Sequence, residues 1–272
     1  MPARSYLYVP GDRPDRLEKA VTKAGDALIA DLEDAVPAAR KDAALGHVLA
    51  WLPTVPAGPE VWVRIGTGPR FREELSTVGA SPRVTGVIVA KAELGSVLQA
   101  DALLRPGVVL GALVETARGV QELAEIAQHP RVRQLGLGEA DLAADLGIAP
   151  GELAVLGPIR AQLVVASAAA GITGPTGPVH LDLRDLEGLR ESTVALKRSG
   201  FAARSAIHPD QVAVIEEVFT PSAEEVSRAR AAVAAWDEAG AGVAVDDHGR
   251  MVDEAVVRLA RSVVATADRL GV

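Results

Sequence analysis

Leu110-Gly111-Ala112-Leu113-Val114-Glu115-Thr116-Ala117-Arg118-Gly119 and Leu135-Gly136-Leu137-Gly138-Glu139-Ala140-Asp141-Leu142 share one pattern. In each, a short apolar run suited to a buried strand ends at a carboxylate beside a glycine-containing turn, and a helix-like segment follows. A strand covered by helices is apolar throughout, and its carboxyl end opens into the loops where such folds bind ligands. Carboxylates at the ends of parallel strands, here Glu115 and Asp141, can meet and hold a hard divalent cation.

The pattern recurs along the chain. Tyr6-Leu7-Tyr8-Val9 precedes Pro10-Gly11-Asp12-Arg13, and Ala27-Leu28-Ile29-Ala30 precedes Asp31-Leu32-Glu33-Asp34. Val61-Trp62-Val63-Arg64-Ile65, Gly86-Val87-Ile88-Val89-Ala90-Lys91, Val179-His180-Leu181-Asp182 and Ala203-Arg204-Ser205-Ala206-Ile207 bring the candidate strands to eight. Alanine- and leucine-rich stretches at 16–23, 119–129, 159–170 and 186–199 read as helices between them. Eight strand-helix alternations over 1–220 predict an α/β fold, a (β/α)8 TIM barrel, whose usual size is about 250 residues. A doubly wound open sheet needs fewer strands, and no glycine-rich dinucleotide fingerprint follows the first one.

The 272 residues are 49% hydrophobic but 3% aromatic, so Ala, Val, Leu and Ile must fill the interior. Without cysteine there is no disulfide, thiolate metal site or cysteine nucleophile. A net charge of −8 and the lack of a basic run argue against a nucleic-acid groove. No apolar stretch reaches a membrane-spanning length of about 18 residues. The start leads into a strand rather than a signal-peptide core, so a cytoplasmic protein is expected.

Composition shifts at 221–272, read as a C-terminal helical extension. Ser222 has the character of a helix N-cap, with Glu225 as its capping-box partner. A helix over 223–239, a glycine-broken hairpin or flap over 240–249 and a last helix from about Met251 to Leu270 are expected. Such an appendage can cover the barrel mouth or pack on a neighbouring subunit.

Each charged candidate has a plain structural alternative. Glu115 and Asp141 could simply cap helices, although an extended apolar run leads straight into Glu115. Asp31, Glu33 and Asp34 could be a solvated loop, yet carboxylates so close repel unless a cation or an arginine offsets them. Arg64, inside an apolar strand, needs an acidic partner or grips a substrate carboxylate with its planar fork. Lys91 could form a Schiff base with a carbonyl substrate or be an ion-paired lysine, with Glu93 as one partner; the acidic cluster should keep it protonated. His208 before Pro209 lacks a neighbouring nucleophile and reads as structural.

Val9-Pro10-Gly11-Asp12-Arg13-Pro14, Asp31-Leu32-Glu33-Asp34-Ala35-Val36, Val63-Arg64-Ile65, Glu115-Thr116-Ala117-Arg118-Gly119, Asp141-Leu142, Ile207-His208-Pro209 and Gly249-Arg250-Met251-Val252-Asp253 occur in that order over nearly the whole chain. Together they resemble the citrate lyase β-subunit group of the HpcH/HpaI aldolase superfamily. The resemblance implies a barrel, trimeric or a dimer of trimers, that makes or breaks a carbon-carbon bond next to a thioester. It implies magnesium, or manganese, held at Glu115 and Asp141, with Arg64 on substrate oxygens and Glu33 and Asp34 in the surrounding acidic shell. Glu139 and Ala140 are expected to border the substrate. Asp253 matches an aspartate that reaches an adjacent subunit and acts on a proton. Ala90, Ala140 and Ala255 depart from the commoner family residues, which leaves every implied ligand in place but alters the pocket edge and lid.

A citryl-, malyl- or citramalyl-thioester lyase or synthase is therefore the expected function. The carrier is coenzyme A or an acyl-carrier protein, and hydrolysis of the thioester is an alternative outcome. Arg13, Arg16 and Lys19 are candidate contacts for a coenzyme A phosphate. A Schiff-base aldolase using Lys91 and an idle thioester-binding subunit are the competing readings.

Overall fold

The computed structural model describes residues 3–240, 243–245 and 249–272. Eight parallel strands close a barrel in sequence order: β1 (Ser5–Pro10), β2 (Ala27–Asp31), β3 (Glu60–Ile65), β4 (Gly86–Val89), β5 (Val109–Val114), β6 (Val132–Leu137), β7 (Thr176–Gly177) and β8 (Ala203–Ala206). β8 returns to β1 with Ser5 opposite Arg204 and Leu7 opposite Ala206. The helices on the strand connections are α1 (Pro14–Ala20), α2 (Lys41–Trp51), α3 (Phe71–Gly79), α4 (Leu94–Leu103), α5 (Ala117–Gln121), α6 (Leu123–Gln128), α7 (Glu139–Leu146), α8 (Leu153–Ala169), α9 (Leu186–Arg198) and α10 (Pro209–Phe219). This is a TIM barrel, as the alternation predicts.

The chain divides into two compact units, the first ending at Glu216 and the second spanning Glu217–Val272. In the first, β2 and β4 are buried along their whole length, as strands sandwiched between barrel interior and helices must be. With few aromatic residues to spend, the barrel places its largest ones inside. Trp62 and Tyr6 meet edge to face at 6.0 Å between ring centroids, and the Tyr6 hydroxyl donates to Gln134 Oε1 at 2.5 Å. Gly86 stands opposite Trp62 in register, where any side chain would overlap the indole.

The seventh strand is not at Val179–Asp182 as expected. It is the two-residue β7 just before Pro178, which has no N–H to continue a ladder. Leu181 there is exposed. Buried Arg204 of β8 braces the chain just past this short strand by donating to Pro178 O at 2.9 Å and to Ser192 and Thr193 of α9. The expected helix over 119–129 is likewise split into α5 and α6.

In the second unit, α11 (Ala223–Glu238) starts at the expected capping box of Ser222 and Glu225. A hairpin of β9 (Ala244–Val245) and β10 (Met251–Val252) follows, then α12 (Glu254–Leu270). Thus the last helix begins three residues later than expected, because Met251 and Val252 pair with β9 and Asp253 caps α12. Ala244, Val252 and Val257 pack with Ala232, Ala235 and Trp236. Ala241, Gly242 and Asp246 to His248, part of the expected flap, lie outside the described residues. Among the described residues no helix is long and apolar enough to cross a membrane.

Candidate active site

A cavity of about 340 Å³ opens at the carboxyl ends of the strands, where enzymes of this architecture place their chemistry. Tyr8, Asp31, Arg64, Glu115 and Ser205 line it together with the β6–α7 turn. Its other wall is apolar, including Leu113, Leu137, Pro178, Val179 and Ile207.

Asp31, the last residue of β2, is fully buried. It accepts a two-pronged fork from Arg64, Nε at 2.7 Å and Nη2 at 2.6 Å, as well as the backbone N–H groups of Glu33 and Ala35. The pairing follows from register, since Asp31 lies opposite Arg64 across β2 and β3. Arg64 also reaches Glu33 Oε2 at 3.2 Å and lies over the Tyr8 ring at 4.8 Å. Burial alone would lower the Arg64 pKa, but the Asp31 hydrogen bonds and surrounding carboxylates raise it. The guanidinium is therefore a permanent charge at the cavity wall.

Glu115 follows β5 directly and is 2% exposed. It is not a helix cap: Thr116 fills that position on α5, accepting from Gly119 N–H at 3.0 Å. Burial pushes the Glu115 carboxyl up to about 7, against the opposing pull of the Lys91 backbone N–H and the Lys91 and Arg64 charges. Gly138, held by its N–H to Val114 O at 3.0 Å, leaves the room this carboxylate occupies; a methyl group there would overlap it. Asp141 stands in the first turn of α7, with its Oδ1 3.2 Å from Lys91 Nζ.

Lys91 is the hub of the acidic groups. Its ammonium lies 3.0 Å from Glu33 and 3.6 Å from Asp34, while the expected partner Glu93 instead caps α4 and meets Arg118. Burial would lower the lysine pKa, yet the hydrogen bond it donates to Glu33 and the charges of the nearby carboxylates raise it well above the ordinary range. A protonated amine is no nucleophile, which disfavours the Schiff-base reading.

Glu139 is taken up by Arg160 of α8, at 2.5 and 2.8 Å, so Glu139 and Ala140 border the cavity with the α7 amino terminus rather than with a free carboxylate. No side chain caps that terminus at Gly138. Sequence reading did not single out Tyr8, Ser205 or Arg160. For Tyr8 and Ser205 a signal existed, since they share the inward phase of strands already recognised; for Arg160 there was none. Away from the cavity, Arg13 pairs with Asp15 at 3.0 Å on an exposed helix start, with exposed Arg16 and Lys19 nearby. His208 accepts the Asp210 backbone N–H at 3.3 Å. In the second unit, the Asp253 carboxylate accepts from Val256 N–H at 2.9 Å.

Around the cavity five carboxylates, Asp31, Glu33, Asp34, Glu115 and Asp141, face two cations, Arg64 and Lys91. That deficit of positive charge and the all-oxygen donor set fit a divalent ion. Among the described residues no three His, Cys, Asp or Glu side chains form a closed cage. This suits a magnesium site of one or two carboxylates with water and substrate filling the rest.

Comparison with known proteins bears on this geometry. Residues 4–209 match the HpcH/HpaI aldolase/citrate lyase family. The chain belongs to that family. It is 36% identical to a (3S)-malyl-CoA thioesterase of Cereibacter sphaeroides, over 99% of this chain and 96% of the relative. A citrate lyase subunit beta-like protein of Deinococcus radiodurans is 34% identical, with 96% of each chain covered. Among solved structures of the family, CitE from Mycobacterium tuberculosis in complex with magnesium, acetoacetate and coenzyme A superposes with a TM-score of 0.83, at 31% identity over 98% of each chain.

Proposed function

We propose that this chain is a magnesium-dependent carbon-carbon lyase that cleaves a malyl-, citramalyl- or citryl-type thioester of coenzyme A, reversibly. The observation that carries this reading is the convergence of Glu115, Asp141 and Arg64 on one cavity with an apolar wall. It is supported by the family and by the magnesium and coenzyme A in the CitE complex. Manganese is an acceptable substitute by the same donor chemistry.

Glu115 and Asp141 would hold the ion, which when bound supplies a Lewis acid for the hydroxy- or oxo-acid end of the substrate. Arg64 grips a substrate carboxylate or the developing enolate oxygen, fixed in aim by Asp31. The free N–H groups of the α7 amino terminus, at Glu139 and Ala140, suit a second carboxylate oxygen. Leu113, Leu137 and Val179 shelter the acyl carbons from water. In cleavage a base takes the hydroxyl proton, the bond between the hydroxyl-bearing carbon and the carbon next to the thioester breaks, and its electron pair forms the thioester enolate. Protonation of that enolate yields an acyl-CoA and an oxo acid. Asp253 is our candidate for the proton-handling group, supplied by another copy in a trimer or hexamer. Arg13 and Lys19 remain the candidate phosphate contacts of coenzyme A.

A second reading, hydrolysis of malyl-CoA, is favoured by the 36% identical thioesterase. The test is product analysis after incubation of purified protein and magnesium with malyl-CoA, citramalyl-CoA and citryl-CoA. Oxo acid with acetyl-CoA supports the lyase; hydroxy acid with free coenzyme A supports the thioesterase. An inert panel, repeated with acyl-carrier thioesters and still inert, overturns both and leaves an idle binding subunit.

A further inference from the structure

Among the described residues, Lys91 is the one non-glycine with left-handed backbone, at φ 48°. The twist is fixed from both sides, by Ala90 N–H on Ile65 O at 3.0 Å and Ala92 N–H on Leu113 O at 2.9 Å. Strain held in this way by its surroundings is a mark of functional positions. Its result is that one residue touches both proposed ligands of the metal. The backbone N–H donates to Glu115 Oε1 at 2.7 Å, while the ammonium lies 3.2 Å from Asp141 and also meets Glu33 and Asp34. Arg64 is committed to Asp31 and Glu33, so the cation that reaches Asp141 and Asp34 is Lys91.

We propose that Lys91 is a positioning residue that acts as a built-in counter-ion: its ammonium keeps the acidic centre assembled before a divalent cation arrives and releases Asp141 when the cation enters. The side chain is 36% exposed, which leaves the ammonium room to withdraw towards Glu33 and Asp34. Ammonium and divalent ion compete for Asp141, and a positive charge beside the site opposes a second one. Removing the ammonium therefore loosens the metal-free protein and tightens metal binding. This inference rests on Glu115 and Asp141 being the ligands.

The experiment titrates Mn2+, followed by its paramagnetic resonance signal, into wild type, Lys91→Met and Glu115→Gln, with thermal melts in EDTA and in excess Mn2+. Lys91→Gln, neutral but able to hydrogen-bond, replaces Lys91→Met where that variant does not fold. We expect Lys91→Met to bind Mn2+ about tenfold more tightly than wild type. We also expect its metal-free melting temperature to be lower, with the gap narrowing in Mn2+. Equal or weaker Mn2+ binding by the neutral variants, with wild-type binding intact, overturns the role of Lys91. Wild type and Glu115→Gln binding alike would instead overturn the metal site itself.

Discussion

In the metal-free protein Glu115 keeps a proton in the folded state at pH 6 that the unfolded chain has already lost, because burial pushes its carboxyl up to about 7. A raised folded-state pKa stabilises below the unfolded value near 4.5 and loses that stabilisation as pH climbs through 7. Glu115→Gln keeps an acceptor for the Lys91 N–H without the charge. In EDTA it should melt above wild type at pH 8, by on the order of 2 kcal/mol, with the gap closing at pH 5. The same variant should lose magnesium-dependent turnover; thermal melts and rates on one preparation check both. Arg64→Lys tests the planar fork on buried Asp31, which an ammonium cannot reproduce. Losing one charge-assisted hydrogen bond, worth roughly 1.5–3 kcal/mol, should lower kcat/KM about 10- to 100-fold. Steady-state kinetics at fixed magnesium measures it.

Among the elements, the β6–α7 turn joins packing to chemistry. Gly138 makes space for the Glu115 carboxylate, so Gly138→Ala should push it aside and raise the magnesium concentration for half-maximal rate about 10- to 100-fold. The Trp62 core, far from this turn in sequence, should keep the variant folded by circular dichroism. The strands were legible where the chain is apolar without interruption, as in Ala27 to Ala30 or Leu110 to Val114. β7 was not, because two residues before a proline carry no periodicity and Val179 to Asp182 imitates a strand. Glu115 could be picked out because it directly follows a readable strand, and Asp141 because it stands in the first helical turn just past another. The left-handed turn at Lys91 and the Arg160 clamp on Glu139 depend on tertiary packing that short-range pattern does not encode.

At the scale of the whole molecule, the barrel unit holds the acidic centre and the second unit holds Asp253. If Asp253 completes a site on another copy, two inactive variants should complement each other. Glu115→Gln and Asp253→Asn, each without turnover, should regain part of the wild-type rate when coexpressed, since a mixed oligomer contains some sites with both residues intact. No recovery in a confirmed mixed oligomer assigns Asp253 to its own chain or to helix capping alone. The most direct test of the central claim is the rate of cleavage of the responsive hydroxyacyl-CoA after EDTA treatment, titrated with magnesium, for wild type, Glu115→Gln and Asp141→Asn. Turnover should vanish in EDTA, return with magnesium in wild type and stay absent in both variants. Undiminished turnover in EDTA, or variants that respond to magnesium as wild type does, would contradict a divalent-cation lyase built on Glu115 and Asp141.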